Sequence, residues 1–249
     1  MSFRPCLIIP CYNHGSTMGG VLERLRPYGV PAWVVDDGSD EATRLTLEAL
    51  ARAEPWVRLL RLPRNGGKGA AVTHAMRLAY QEGYSHALQV DADGQHALSD
   101  VPRFLERAAQ RPDAVIAGRP LYDASVPKAR LYGRYLTHFW VWVETLSFDI
   151  ADSMCGFRCY PLAATEALLR RTRIPRRMDF DIEIIVRLHW AGAPVLNLPT
   201  RVTYPPGGLS HFDALRDNAR ISLMHTRLAL GMLPRAPRLL RRRWREARA

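Results

Sequence analysis

Asp91 and Asp93 stand one residue apart in the segment Asp91-Ala-Asp-Gly-Gln-His96, directly after an apolar run over residues 84–90. Two carboxylates on one turn can both face a hard divalent cation. Mg2+ and Mn2+ take oxygen ligands and keep positions open for phosphate oxygens. Aspartate is equally common in solvated turns and helix caps, so the pair gains meaning only from its neighbours. Three further polar clusters follow apolar runs: Pro10-Cys-Tyr-Asn13, Asp36-Asp37-Gly38-Ser39 and Arg64-Asn-Gly-Gly-Lys68-Gly-Ala70. The last is glycine-rich, but its spacing is not that of a Walker A phosphate loop.

The elements that position these clusters are legible as five short apolar runs, at 6–9, 32–35, 57–62, 84–90 and 114–117. Segments of helical spacing separate them: one carrying Met18, Val21, Leu22 and Leu25, one carrying Leu45, Leu47 and Leu50, and others at 70–80 and 101–108. That alternation predicts an α/β fold with a mostly parallel central sheet flanked by helices. Ligands of such sheets bind beyond the carboxyl ends of the strands, so three loops distant in sequence should line one crevice. The second half is less regular. It predicts an aromatic helix over 126–148, with core packing preferred over a membrane contact for its 139–148 stretch, a strand over 156–160 and a helix over 163–170. An amphipathic helix over 178–190, short strands at 195–198 and 201–204, a Pro/Gly loop and a helix over 212–230 follow. One compact domain is expected over 1–233, in halves of about 1–120 and 121–233, followed by a basic tail over 234–249.

The 249 residues are 47% hydrophobic and 24% charged, which excludes whole-chain disorder. No apolar stretch reaches the roughly 18 residues of a membrane-spanning helix. Residues 1–10 carry Arg4 and enter an apolar run at once, which predicts no signal peptide. Cys6, Cys11, Cys155 and Cys159 form no CxxC pair and no metal spacing, and read as reduced thiols of a cytoplasmic protein. The net charge of +11 is concentrated at the end, where 234–249 hold seven Arg and one Glu.

In order and spacing, the four clusters resemble the family 2 inverting glycosyltransferases of GT-A fold, above all the polyprenyl-phosphate (dolichol-phosphate-type) sugar transferases. Asp152-Ser-Met-Cys-Gly-Phe-Arg158 is similar to a later Gly-Phe-Arg segment of that family. The resemblance covers about residues 5–205. It implies that Pro10, Tyr12 and Asn13 wall a nucleotide base, that Asp37 accepts a hydrogen bond from it, and that Lys68 approaches the base or the phosphates. It implies that Asp91 and Asp93 bind Mg2+ or Mn2+, with Gln95 as a third ligand. The metal would stabilise the charge gathering on a departing nucleotide diphosphate. Arg158, whose planar fork suits phosphate, is a candidate second clamp. Met178-Asp-Phe-Asp-Ile-Glu183 stands where the family carries catalytic acids. Asp179, Asp181 or Glu183 could then take a proton from a hydroxyl acceptor, Asp181 being preferred. His211 is a candidate ligand of the metal or diphosphate, and His96 a hydrogen-bonding residue behind the Asp91 turn.

The resemblance implies transfer from a UDP- or GDP-sugar to a lipid-linked acceptor, with polyprenyl phosphate preferred. A hydroxyl acceptor with an Asp or Glu base is the alternative, and a non-catalytic nucleotide-sugar-binding scaffold is a reading of another class. The tail mixes Arg with Leu239, Leu240 and Trp244, a mixture suited to anionic lipid. Peripheral attachment to the inner face of a membrane is therefore expected. Nucleic acid is not, since the body carries no basic stripe.

Overall fold

The structure is a computed structural model that describes residues 2–122, 126, 128–203 and 213–246. The first half alternates strand and helix: β1 (Pro5–Cys11), α1 (Gly15–Leu25), β2 (Ala32–Asp36), α2 (Glu41–Ala53), β3 (Val57–Arg61), α3 (Lys68–Gln81), β4 (His86–Gln89), α4 (Val101–Gln110) and β5 (Val115–Tyr122). Then come α5 (Lys128–Thr145), β6 (Arg158–Pro161), α6 (Leu162–Arg171), α7 (Phe180–Ala191), β7 (Val195–Val202), α8 (Ala214–Met232) and α9 (Ala236–Glu246).

The seven strands form one sheet in the order β3-β2-β1-β4-β6-β5-β7. All neighbours run parallel except β6, which is antiparallel to both β4 and β5. Helices cover both faces, so the central strands are buried on both sides and read as continuous apolar runs. Along β1, Leu7 and Ile9 enter the layer formed with α1, α2 and α4, while Cys6 and Ile8 enter the layer formed with α3, α5, α7, α8 and α9.

Four elements depart from the expectation. The stretch 195–202 is one strand. Its Pro199 lies on the sheet's edge, where a missing N–H is tolerated. Helix α7 is buried almost all round, because it packs between α3, α5 and α6. The basic tail is the helix α9, anchored by the buried Leu239. Helix α5 leaves four of its aromatic residues outside: Tyr132, Tyr135, Phe139 and Trp140 are exposed, Trp142 is half-buried, and Thr137, His138, Val141, Glu144 and Thr145 are buried.

Candidate active site

Strands β3, β2, β1 and β4 are adjacent and parallel, so the turns that follow them emerge side by side. Side chains stitch these turns together. The Asn13 amide donates to Ser39 Oγ (3.0 Å), and the Asp40 amide donates to Asn13 Oδ1 (2.9 Å). Asn13 takes a φ of 55°, a left-handed conformation that asparagine tolerates better than most residues. Thr17 Oγ1 donates to the Ala92 carbonyl at 2.6 Å, tying α1 to the Asp91–Asp93 turn.

Asp37 is buried and faces the glycine loop, where Oδ1 accepts from Gly66 N (2.8 Å) and Oδ2 from Gly67 N (2.7 Å). These two amides are therefore spent on the protein rather than on a phosphate. Burial pushes the Asp37 carboxyl up, against the pull of the two amides. Gly67 has a φ of +94°, and a Cβ there would lie 2.4 Å from the Arg176 carbonyl oxygen, so the loop requires glycine.

Lys68 opens α3, and its Nζ sits between two carboxylates, 2.8 Å from Asp91 Oδ1 and 2.8 Å from Asp181 Oδ2. Gln89 Nε2 donates to the other Asp181 oxygen at 3.1 Å, and His96 Nε2 lies 3.3 Å from Asp91 Oδ2. Burial alone would raise the Asp91 carboxyl. The Lys68 ammonium and His96 outweigh it and hold Asp91 well below the usual carboxylate range. The same two carboxylates overcome the burial of Lys68 and hold its ammonium protonated. Asp93 is pushed up, by burial first and by the charge of Asp91 second.

The donor set suits a hard cation. Asp91 Oδ1 is buried and faces the Lys68 ammonium at 2.8 Å without a hydrogen bond among the described residues, while Asp91 Oδ2 accepts from Lys68 at 3.0 Å. Among the described residues, Asp93 accepts the Gln95 amide, at 3.0 Å on Oδ1. Among the described residues no group of three His, Cys, Asp or Glu side chains could hold a metal alone. Asp91 and Asp93 would need oxygens from Gln95 or from a bound phosphate group.

The structure brings Pro10, Tyr12, Asn13, Asp37, Lys68, Asp91, Asp93 and Gln95 to one edge of the sheet. It places other candidates elsewhere. Arg158 is fully buried and clamps no phosphate from there. One of its nitrogens donates to the Asp181 carbonyl (2.8 Å) and Tyr160 Oη (3.2 Å), the other to the Ser153 and Cys155 carbonyls (3.2 and 3.0 Å). Glu183 is buried on the far side of α7, paired with Arg187 at 2.6 Å and with Arg227. Asp179 precedes α7 at its N-cap, where burial pushes its carboxyl up. Of the three acids only Asp181 reaches Lys68. His211 lies outside the described residues.

Two contributors escaped the sequence reading. Gln89 is a polar residue buried within the fourth apolar run, and that oddity was its only signal. Gly156 lies so close that a Cβ there would stand 2.6 Å from Lys68 Nζ and 2.7 Å from Asp91 Oδ2. Nothing local in the sequence announces that approach.

Comparisons with known proteins bear on this edge as a whole. The undecaprenyl-phosphate mannosyltransferase of Micrococcus luteus is 27% identical over 210 residues, covering 79% of this chain and 82% of that protein. The polyprenol monophosphomannose synthase of Mycolicibacterium smegmatis is 28% identical over 221 residues, covering 83% and 80%. Among solved structures, glucosyl-3-phosphoglycerate synthase of Mycobacterium tuberculosis, in complex with Mn2+ and UDP-glucose, aligns with a TM-score of 0.68 and 13% identity. The alignment covers 94% of this chain and 79% of that one. A mannosyltransferase of Pyrobaculum calidifontis, in complex with GDP-mannose and Mn2+, aligns with a TM-score of 0.57 and 16% identity, covering 95% and 74%. The fold is that of the GT-A glycosyltransferases. Residues 6–173, which carry all four turns, the glycine loop among them, match the sequence model of glycosyl transferase family 2, and the chain is a glycosyltransferase of that family.

Proposed function

We propose that this glycosyltransferase moves a sugar, with inversion, from a nucleotide-diphosphate sugar to a lipid-linked phosphate. Asp91 and Asp93, with Gln95, would hold Mg2+ or Mn2+. When bound, that cation supplies Lewis-acid stabilisation of the charge developing on the departing diphosphate. Pro10, Tyr12 and Asn13 would flank the base, with Asp37 fixing the loop beside it. The acceptor phosphate oxygen attacks the anomeric carbon as the bond from that carbon to the diphosphate breaks. The nucleoside diphosphate leaves with the electron pair. The observation that carries this reading is the Asp91–Asp93 turn, where Asp91 Oδ1 faces Lys68 at 2.8 Å without a hydrogen bond among the described residues and the Asp93 carboxyl beside it is pushed up.

A phosphate acceptor is already anionic and needs no base. The geometry favours it over a hydroxyl, because both oxygens of Asp181 are engaged, one by Lys68 and one by Gln89. Relatives named for undecaprenyl phosphate and polyprenol phosphate support the same choice. The matching experiment offers UDP- and GDP-sugars with Mn2+ or Mg2+ to the purified chain, with undecaprenyl phosphate and undecaprenol as acceptors. Transfer to the phosphate alone is expected, abolished by EDTA and reduced at least 100-fold by Asp93→Asn. Full activity of that variant would overturn the metal assignment, and equal use of undecaprenol would overturn the acceptor.

Contact with an anionic membrane surface through α9 belongs to the same proposal. Arg238, Arg241 and Arg245 are exposed on a helix that Leu239 pins to the body. Each basic residue near such a surface contributes about 1 kcal/mol.

A further inference from the structure

Helix α5 is inside out for a helix in water. Tyr132, Tyr135, Leu136, Phe139 and Trp140 recur at spacings of three and four, so they form one stripe, and each is between 39% and 70% exposed. The opposite stripe, with the half-buried Arg134 and the buried Thr137, His138, Val141, Glu144 and Thr145, is mostly polar and faces the protein. A soluble surface helix has the reverse arrangement.

The neighbouring helices continue this face. Helix α8 packs on α5, where Glu144 meets His225 at 2.7 Å and the Trp140 and His225 rings lie 6.5 Å apart. It buries Met224, Leu228 and Met232 and turns Leu215, Leu223 and Leu230 outward, with Leu215 86% exposed. Arg243 of α9 donates to the Leu146 carbonyl (3.0 Å) and stacks over the exposed Phe148 ring, placing Leu240 and Trp244 beside the end of α5. All three helices belong to one layer and turn these residues away from the same core. The five α5 side chains alone expose on the order of 500 Å2, the upper end of what a monomeric protein shows.

We infer that the outward stripes of α5, α8 and α9 form one docking surface that lies in the headgroup boundary of an anionic bilayer. Charge selects this occupant. Arg216 and Arg220, paired with Asp213 at 3.7 Å and Asp217 at 2.9 Å, flank the α8 leucines, and the main positive charge is on α9, where Arg238, Arg241 and Arg245 flank Leu240 and Trp244. Lipid phosphates complement these arginines, whereas a second copy of the chain would set arginine against arginine. Tyrosine and tryptophan suit that boundary, with an apolar ring and a polar edge. No described helix is long and apolar enough to cross a membrane, so the face lies on the bilayer. The inner side of α5 leads back to the site. Arg134 and His138 hold the Asp152 carboxylate at 2.6 and 3.3 Å, and Asp152 accepts the Met154 and Cys155 amides just before Gly156. One helix thus touches lipid on one side and braces the loop at Lys68 on the other.

The inference rests on the membrane reading above for α9 and stands independently on α5 and α8. Its test is flotation of the full chain with vesicles of phosphatidylcholine containing one quarter phosphatidylglycerol, at low and high salt. The triple variant Tyr135→Ser, Leu136→Ser, Phe139→Ser should lose at least tenfold in partitioning at both salts with little change in Tm, since all three side chains are exposed. The pair Arg241→Gln, Arg245→Gln should lose only the salt-sensitive part. Unchanged flotation of the triple variant would overturn the docking face, and if the arginine pair then lost all binding, the α9 contact would survive alone. A parent chain that ignores these vesicles at both salts, or that dimerises until the triple substitution releases it, would also overturn the proposal.

Discussion

Gly156 stands so near Lys68 that a methyl group on its α-carbon would lie 2.6 Å from the ammonium nitrogen. The loop after α5 thereby closes over the pair that joins α3 to the Asp91 turn. Lys68 in turn links Asp91, at the end of β4, to Asp181, in the first turn of α7. This one cation joins the repeating first half of the fold to its irregular second half.

Gly156→Ala should therefore damage transfer more than stability. Its Cβ would meet Lys68 Nζ, Asp91 Oδ2 and Gln89 Nε2, all within 2.8 Å. The ammonium is the flexible end of a side chain and must yield, dragging the two carboxylates with it. We expect kcat to fall 10- to 100-fold while Tm drops by only a few degrees. Activity and Tm measured on the same preparation decide it, and unchanged kcat would contradict the close approach.

Lys68→Met removes the positive charge between two carboxylates. Breaking one partner of such a buried pair costs about 3–5 kcal/mol, because the remaining charge stays uncompensated. The loss should shrink at low pH, since Asp91, buried and no longer held down by Lys68, takes up a proton more readily than it does in the parent. Urea unfolding of parent and variant at pH 8 and pH 5 should show the smaller difference at pH 5. An equal difference would mean that the carboxylates find another partner.

Arg158→Lys separates a structural role from phosphate binding. The guanidinium satisfies three carbonyls and the Tyr160 hydroxyl from full burial, a geometry that an ammonium cannot copy. Each carbonyl left unpaired costs roughly 1–3 kcal/mol. The variant should lose several degrees of Tm and keep the parent KM for the nucleotide sugar. Glu183→Gln should behave likewise, because among the described residues the Glu183 carboxylate pairs with Arg187 and Arg227. A KM raised tenfold with unchanged Tm would return Arg158 to the phosphates.

The first half of the fold was legible because its signals are local. Short apolar runs, each closed by a polar turn, fix the strands, and parallel order brings the turns to one edge. The second half resisted because its determinants are pairings. Asp179, Asp181 and Glu183 look equivalent in sequence. Only the packing of α7 sends Asp181 to Lys68 and Glu183 to Arg227. Arg158 resembled a phosphate clamp because an arginine's charge is visible in sequence and its burial is not. The α5 aromatic stripe read as core because apolar spacing marks a face without saying what covers it.

His189 sets a pH limit on the attachment of α9. Its ring is almost fully buried beside Arg242, whose guanidinium also donates to the His189 carbonyl at 2.7 Å. Burial first, and the Arg242 charge second, lower the imidazole to about 4, against the partial opposition of Asp149. The unfolded chain binds this proton near pH 6.5 and the folded chain only near 4. The unfolded state therefore holds more protons throughout that interval, and stability must fall as pH falls from 6.5 to 4, by up to about 3 kcal/mol. His189→Asn removes the titrating group and keeps a polar atom near Arg242. Thermal unfolding at pH 7.5, 6 and 5 should give a steeper decline for the parent than for the variant, because only the parent must exclude this proton to keep α9 seated. Parallel declines would show that Arg242 and His189 do not oppose one another in solution.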